Sequence, residues 1–228
     1  MTDISPLEGR SFAAFLFDMD GTIITSIAAA ERVWANWARG HGLDVAAFLP
    51  TIHGVRAVDT VRRQQLPGID AEREAAAISQ AEIGDTDGVE PISGAATFLA
   101  ALPAKRWAIV TSAPRALALA RLKAAGLAEP VLMITADDVT HGKPSPEGYW
   151  LAAERLGVDI ADCLVFEDAT AGIAAGEAAG AEVVVITATH SHPVATLHAT
   201  ISGYDALRPV SDISGVRLRQ ADLASVAP

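Results

Sequence analysis

The chain has 228 residues, half of them hydrophobic, which suffices for one large domain, or one domain with a modest insertion, around a substantial core. Its formal net charge of −11 excludes the basic surface that leads nucleic-acid binding and requires that an anionic substrate be drawn by local cations, not by the overall field. The N-terminus lacks a signal-peptide pattern and no apolar run approaches membrane-spanning length, so the expectation is a cytoplasmic protein that meets neither membrane nor nucleic acid.

The first apolar run, 12–17, reads as a buried strand and ends on Asp18-Met19-Asp20-Gly21-Thr22. Side chains of a strand alternate, but a loop leaving it at a glycine turn can bring both carboxylates to one pocket. There one can attack or hold a cation while its neighbour moves protons. Taken alone, the pair is equally compatible with two solvated loop acids. No convincing strand follows until Trp107; helical patterns at 27–40, 55–66 and 71–82 fill the gap. That stretch is too long for a loop in a compact domain, so residues 26–90 are predicted to form a helical insertion after the first strand. Thr22 to Ser26 would be its outgoing hinge and Gly84-Asp85-Thr86-Asp87-Gly88 its return. Trp34 and Trp37, three apart on one helical face, read as packing residues, and Arg62 and Arg63 as solvated charges.

Further apolar runs at 107–111, 131–134, 163–166 and 183–187 alternate with alanine-rich helical stretches near 93–101, 114–125, 146–156 and 170–179. Alternating strands and helices imply crossover connections, hence an α/β fold with an open, doubly wound parallel sheet built from 1–25 and 91–228. The single cysteine, Cys163, lies in an apolar run and reads as a buried structural thiol. Residues 205–228 suggest one edge strand and a frayed end.

Ligands of such sheets bind at the carboxyl ends of the strands. Besides Asp18 and Asp20, three polar clusters stand there: Thr111-Ser112, Lys143 within Gly142-Lys143-Pro144, and Glu167-Asp168. Hydroxyls and free N–H groups at a helix start suit a phosphate oxygen, though Thr111 and Ser112 could also be simple caps. Of the three lysines, Lys105, Lys123 and Lys143, only the last sits in a proline-stiffened loop. Carboxylates crowded into one pocket raise each other's pKa, and a divalent cation removes the conflict. Oxygen-only ligands favour Mg²⁺, which readily takes a phosphate oxygen. With Lys143 supplying the remaining positive charge, the set reads as a phosphoryl-transfer site with a carboxylate nucleophile.

In this order and spacing the four motifs resemble those of the haloacid dehalogenase superfamily of aspartate-dependent phosphatases, over residues 12 to about 187. The resemblance implies a Rossmann-like core with a helical cap inserted after the first strand. His53-Gly54-Val55-Arg56, Gly142-Lys143-Pro144 and Val165-Phe166-Glu167-Asp168-Ala169 look most like the sugar- and polyol-phosphate phosphatase branch, the 2-deoxyglucose-6-phosphatase and glycerol-3-phosphatase group. It further implies that Asp18 is the nucleophile and Asp20 the acid–base. Mg²⁺ would be held by Asp18, the Asp20 carbonyl and Asp168, with Glu167 direct or through water. Lys143 and Thr111 or Ser112 would bind the phosphoryl oxygens. The substrate would be a small phosphate monoester of a sugar or polyol, with Arg56 and, less directly, His53 as specificity residues of the cap. A monomer is expected, because the cap already shades the site.

Two rivals remain at the level of sequence. A phosphosugar mutase of the β-phosphoglucomutase type shares nucleophile and metal, but its branch uses a histidine near the outgoing hinge and a lysine in the cap. Here Thr25 to Ala30 contains no histidine and 26–90 contains no lysine. A catalytically silent phosphosugar-binding module would not need the full set of acids, hydroxyls and lysine. His190-Ser191-His192 is a weak metal pattern and reads as a loop after the last core strand, and Asp137-Asp138 as part of the approach to Lys143.

Overall fold

The chain is described from a computed structural model that covers residues 2–190 and 196–221. Its first strand, β1 (Ala14–Phe17), is buried on both faces, as a continuous apolar run requires. The chain then runs through a two-residue strand, β2 (Ile24–Thr25), into four helices, α1 (Ile27–Gly40), α2 (Val45–Phe48), α3 (Ala57–Arg63) and α4 (Ala71–Gly84). It returns through β3 (Glu90–Pro91), which pairs antiparallel with β2, so the two crossings between helical insertion and sheet run side by side. After β3 the order is α5 (Ala95–Ala100), β4 (Trp107–Val110), α6 (Arg115–Ala124), β5 (Met133–Ile134), α7 (Glu147–Leu156), β6 (Cys163–Glu167), α8 (Thr170–Ala179) and β7 (Glu182–Ile186). Three further strands close the chain: β8 (Ala199–Ile201), β9 (Leu207–Asp212) and β10 (Gly215–Gln220).

The main sheet is parallel, in the order β5-β4-β1-β6-β7-β8. The strand order reverses at β1, which places the loops after β1, β4 and β6 side by side at the carboxyl edge. The fold is thus the expected Rossmann-like doubly wound sheet with a helical cap inserted after the first strand. Strand alternation divides the core in two. Phe15, Phe17, Ile109, Leu164 and Phe166 face α5, α6 and the C-terminal strands; Ala14, Leu16, Ala108, Val110 and Val165 face α7 and α8. Phe17 stacks on Phe166 with ring centroids 4.4 Å apart, at the centre of the first cluster. Truncating such a residue to alanine costs about 3–5 kcal/mol. The cap holds its own small core around Trp34, Phe48, Ile52, Val61 and Ile78, with Trp34 and Trp37 edge to face.

The C-terminal region departs from the expectation of one edge strand. β8 extends the sheet beyond β7, and β9 and β10 form an antiparallel hairpin that puts Leu207, Val216 and Leu218 into the first core cluster. β8 is too short to show a pattern, and in β9 the alternation is broken, because Pro209 and Ser211 share the inward face with Leu207 while Val210 faces outward. Among the described residues no helix is long and apolar enough to cross a membrane. His192 lies outside the described residues.

Candidate active site

β1 and β6 are neighbours in the sheet, so the residues that follow them, Asp18 and Glu167-Asp168, meet at one edge. Lys143 arrives from the loop after β5. Its buried Nζ donates to Asp18 Oδ1 at 2.5 Å, to Glu167 Oε1 at 2.6 Å and to the Val110 carbonyl at 2.9 Å. Glu167 is saturated: Oε1 also accepts from the Tyr149 hydroxyl at 2.8 Å, and Oε2 accepts the Asp168 and Ala169 N–H groups. Asp168 accepts from the Thr22 hydroxyl at 3.2 Å, and its carbonyl lies 2.9 Å from His190 Nε2. Two glycines make room for these acids. A Cβ on Gly172 would stand 1.7 Å from Glu167 Oε1, and one on Gly21, which turns at φ +85°, would stand 2.0 Å from Asp168 Oδ2.

Burial, with the Glu167 charge beside it, raises the Asp18 carboxyl to about 7, although Lys143 opposes the rise. Burial and the Asp18 and Glu167 charges likewise push Asp168 well above the ordinary carboxylate range. Lys143 moves the other way: burial works against its charge, but Asp18 and Glu167 outweigh it and hold the ammonium above its usual value. One oxygen from each of Asp18, Glu167 and Asp168 lies within 4.8 Å of the other two. An all-oxygen, anionic, buried cluster whose members resist ionisation is a donor set that a hard divalent cation fits. Glu167, with both oxygens already accepting, fits an approach to such an ion through water.

The cavity above the acids lies between sheet and cap. Asp18, Asp20, Thr111, Ser112 and Asp168 line it from the core, and Trp34, His53, Ser79 and Glu82 from the cap. Thr111 Oγ1 accepts the Ala113 N–H, which leaves its own hydroxyl proton to donate; the Ser112 hydroxyl donates to the Gly54 carbonyl at 2.9 Å. His53 stands 3.4 Å from Glu31. Arg56 is elsewhere. Its Nε pairs with Asp59 at 2.7 Å, a terminal nitrogen donates to the Val139 carbonyl at 3.2 Å, and its stem covers Gly142, next to Lys143. The turn 53–56 therefore touches two site loops, with Arg56 clamping the lysine loop from the cap. Asp138 caps the short turn at Thr135 and Asp137 accepts the Arg115 N–H, so both stabilise the approach to Lys143.

Asp20 faces the cavity but is held sideways. Its Oδ1 accepts from the Ser26 hydroxyl at 2.6 Å and pairs with Arg121 at 3.0 Å. Arg121 in turn pairs with Glu82 at 2.9 Å. Tyr149, Arg121 and Glu82 escape sequence reasoning, because each sits within a regular helix where its type signals nothing. Charged residues on otherwise apolar helix faces are the one available hint.

The chain matches the haloacid dehalogenase-like hydrolases over residues 12–180. It is 40% identical over 186 residues to hexitol phosphatase A of Escherichia coli strain K12, covering 78% of this chain and 85% of that protein. With 2-deoxyglucose-6-phosphate phosphatase 2 of Saccharomyces cerevisiae it shares 34% identity over 201 residues, covering 78% of this chain and 81% of the other. A crystal structure of a hydrolase from Pseudomonas syringae superposes with a TM-score of 0.67 at 27% identity, over 79% of this chain and 86% of its own.

Proposed function

The chain belongs to the haloacid dehalogenase-like hydrolases, and we propose that within that family it is a Mg²⁺-dependent phosphatase of small phosphorylated sugars or polyols. The observation that carries this reading is the grip of Lys143 on Asp18, 2.5 Å long and buried, with Asp20 two residues away on the same cavity. The names of its relatives, a hexitol phosphatase and a 2-deoxyglucose-6-phosphate phosphatase, support the substrate class. Residues 26–90 would act as the cap and 1–25 with 91–228 as the catalytic core.

Asp18 attacks phosphorus, and its new O–P bond replaces the ester O–P bond. Asp20, as a carboxylic acid, gives its proton to the departing sugar or polyol oxygen. In the second half Asp20 takes a proton from water as the water oxygen bonds to phosphorus and the Asp18–phosphorus bond breaks, which releases inorganic phosphate. Lys143 offsets the repulsion between the Asp18 carboxylate and the phosphoryl group; Thr111 donates its free hydroxyl proton to a remaining phosphoryl oxygen, and Ser112 does so on releasing the Gly54 carbonyl. Asp18, Asp168 and the Asp20 carbonyl would hold Mg²⁺, with Glu167 through water; the ion supplies the positive charge that the developing phosphoryl charge needs. The cap excludes water and meets the leaving group with Trp34, His53 and Ser79.

Phosphate release from a panel of hexitol, deoxyhexose and glycerol phosphates, with Mg²⁺ and with EDTA, tests the reading. Metal-dependent release abolished in Asp18→Asn is expected. Isomerisation without release would favour a mutase, and binding without turnover a sensor; either result would overturn it.

A further inference from the structure

Arg121 has no place in the chemistry so far, yet it is among the most deeply buried charges in the molecule, 5% exposed on the inner face of α6. A buried guanidinium is tolerated only where its charge is matched. Here the match comes from two different parts of the fold. One terminal nitrogen reaches Asp20 Oδ1 in the loop after β1, and the other reaches Glu82 Oε1 in the last turns of cap helix α4. Glu82 is itself buried and borders the cavity. The fork thus ties the cap to the core through the carboxylate that the proposed reaction uses as acid.

The geometry at Asp20 gives the tie a purpose. Oδ1 takes both of its bonds, from Arg121 and from Ser26 at the outgoing hinge. Among the described residues Oδ2 has no hydrogen-bond partner. A carboxyl held through one oxygen from two directions has its rotamer fixed, and here its other oxygen is left unpaired on a side chain that lines the cavity. If Arg121 served stability alone, a well-packed apolar pair of similar volume would serve as well.

We infer that Arg121 is a positioning residue. It holds Asp20 by Oδ1 so that Oδ2 faces the leaving oxygen, and through Glu82 it makes that alignment depend on the cap helix α4 being seated on α6. The inference rests on the phosphatase reading. When the ester bond breaks, the proton passes from Asp20 Oδ2 to the leaving oxygen, and Arg121 remains paired with the resulting carboxylate. With α4 displaced, the fork loses one carboxylate and Asp20 half of its support, so the acid is aligned only under a seated cap.

The test is a leaving-group series with the Mg²⁺-loaded full-length enzyme. The parameter is kcat/KM, which reports the steps through leaving-group departure. Sorbitol 6-phosphate and glycerol 1-phosphate have poor leaving groups that need a proton; p-nitrophenyl phosphate does not. In Arg121→Met, kcat/KM for the alkyl phosphates is expected to fall about 10²-fold, the lower end of a general-acid contribution, and for p-nitrophenyl phosphate far less. Arg121→Lys, which keeps the charge but not the fork, should restore part of the loss. Glu82→Gln, which keeps the core contact, should show the same selectivity at smaller size, and it carries the test if Arg121→Met does not fold. An equal loss across the series, or no loss, overturns the role of Arg121. Wild-type failure on every ester removes the phosphatase reading itself, a result distinct from either.

Discussion

Asp168→Asn should be more stable than the wild type without metal and less stable than it with Mg²⁺ bound. Without an ion, the pocket holds three carboxylates and the Lys143 ammonium, a formal charge of −2 when all are ionised. Two carboxylates 4.8 Å apart repel by about 3 kcal/mol at an effective dielectric near 20. The protein escapes part of this by keeping protons: the Asp18 carboxyl is raised to about 7, and burial beside Asp18 and Glu167 holds that of Asp168 well above the ordinary carboxylate range. Both values lie above those of the unfolded chain, so the folded state binds more protons. Metal-free stability is therefore expected to fall as pH rises from about 4 through about 7. Asp168→Asn keeps the side-chain shape and removes one charge, so at pH 8 in EDTA the variant should be more stable than wild type by about 1–3 kcal/mol. For a chain of this size that is about 2–4 °C of Tm per kcal/mol. Mg²⁺ at a thousand times its Kd adds about 4.1 kcal/mol to the wild type and far less to the variant, which lacks a ligand. Thermal melts of both proteins in EDTA and in Mg²⁺ should therefore cross. A variant that melts below wild type in EDTA, or gains as much from Mg²⁺, would show that these acids neither repel nor share an ion.

Lys143→Met removes the cation between Asp18 and Glu167; turnover should vanish and urea denaturation should show a loss of about 3–5 kcal/mol, the cost of leaving buried charge unpaired. A change within measurement error would mean that these acids are neutral in the folded enzyme. Gly172→Ala should lower both activity and Tm, although alanine favours a helix by about 1 kcal/mol, because the added methyl drives Glu167 from Lys143 and Tyr149; a fully active, more stable variant would disprove the close approach. Burial raises Glu82 to about 7 against the pull of Arg121, so its folded value exceeds its unfolded 4.5. Its contribution to stability should fall as pH climbs between those values, on the order of 3 kcal/mol in all. Glu82→Gln should remove that decline from a series of melts between pH 4.5 and 8, and parallel wild-type and variant curves would contradict it.

The alternation of short apolar runs with alanine-rich helices placed the sheet, its helices and the cap, because strand and helix periods are local properties of a chain. The start and end of α1 emerge from the pattern to the residue. The acids after β1 and β6 and the lysine after β5 were visible for the same reason: each is marked by its immediate neighbours, an apolar strand before it or a glycine or proline beside it. Arg56 shows the limit. The sequence marks it as a specificity candidate but not what holds it, and in the fold it pairs with Asp59 and the Val139 carbonyl, since the direction of a long side chain depends on what packs around its stem.

Residue order alone thus tells which residues carry charge at the carboxyl ends of which strands. That Glu167 gives both oxygens to Lys143, Tyr149 and backbone N–H groups, and that Arg121 joins Asp20 to Glu82, emerges only once the chain is folded. Those partners come from segments far apart along the chain, and burial gives each pair its strength by stripping away the water that would otherwise satisfy them.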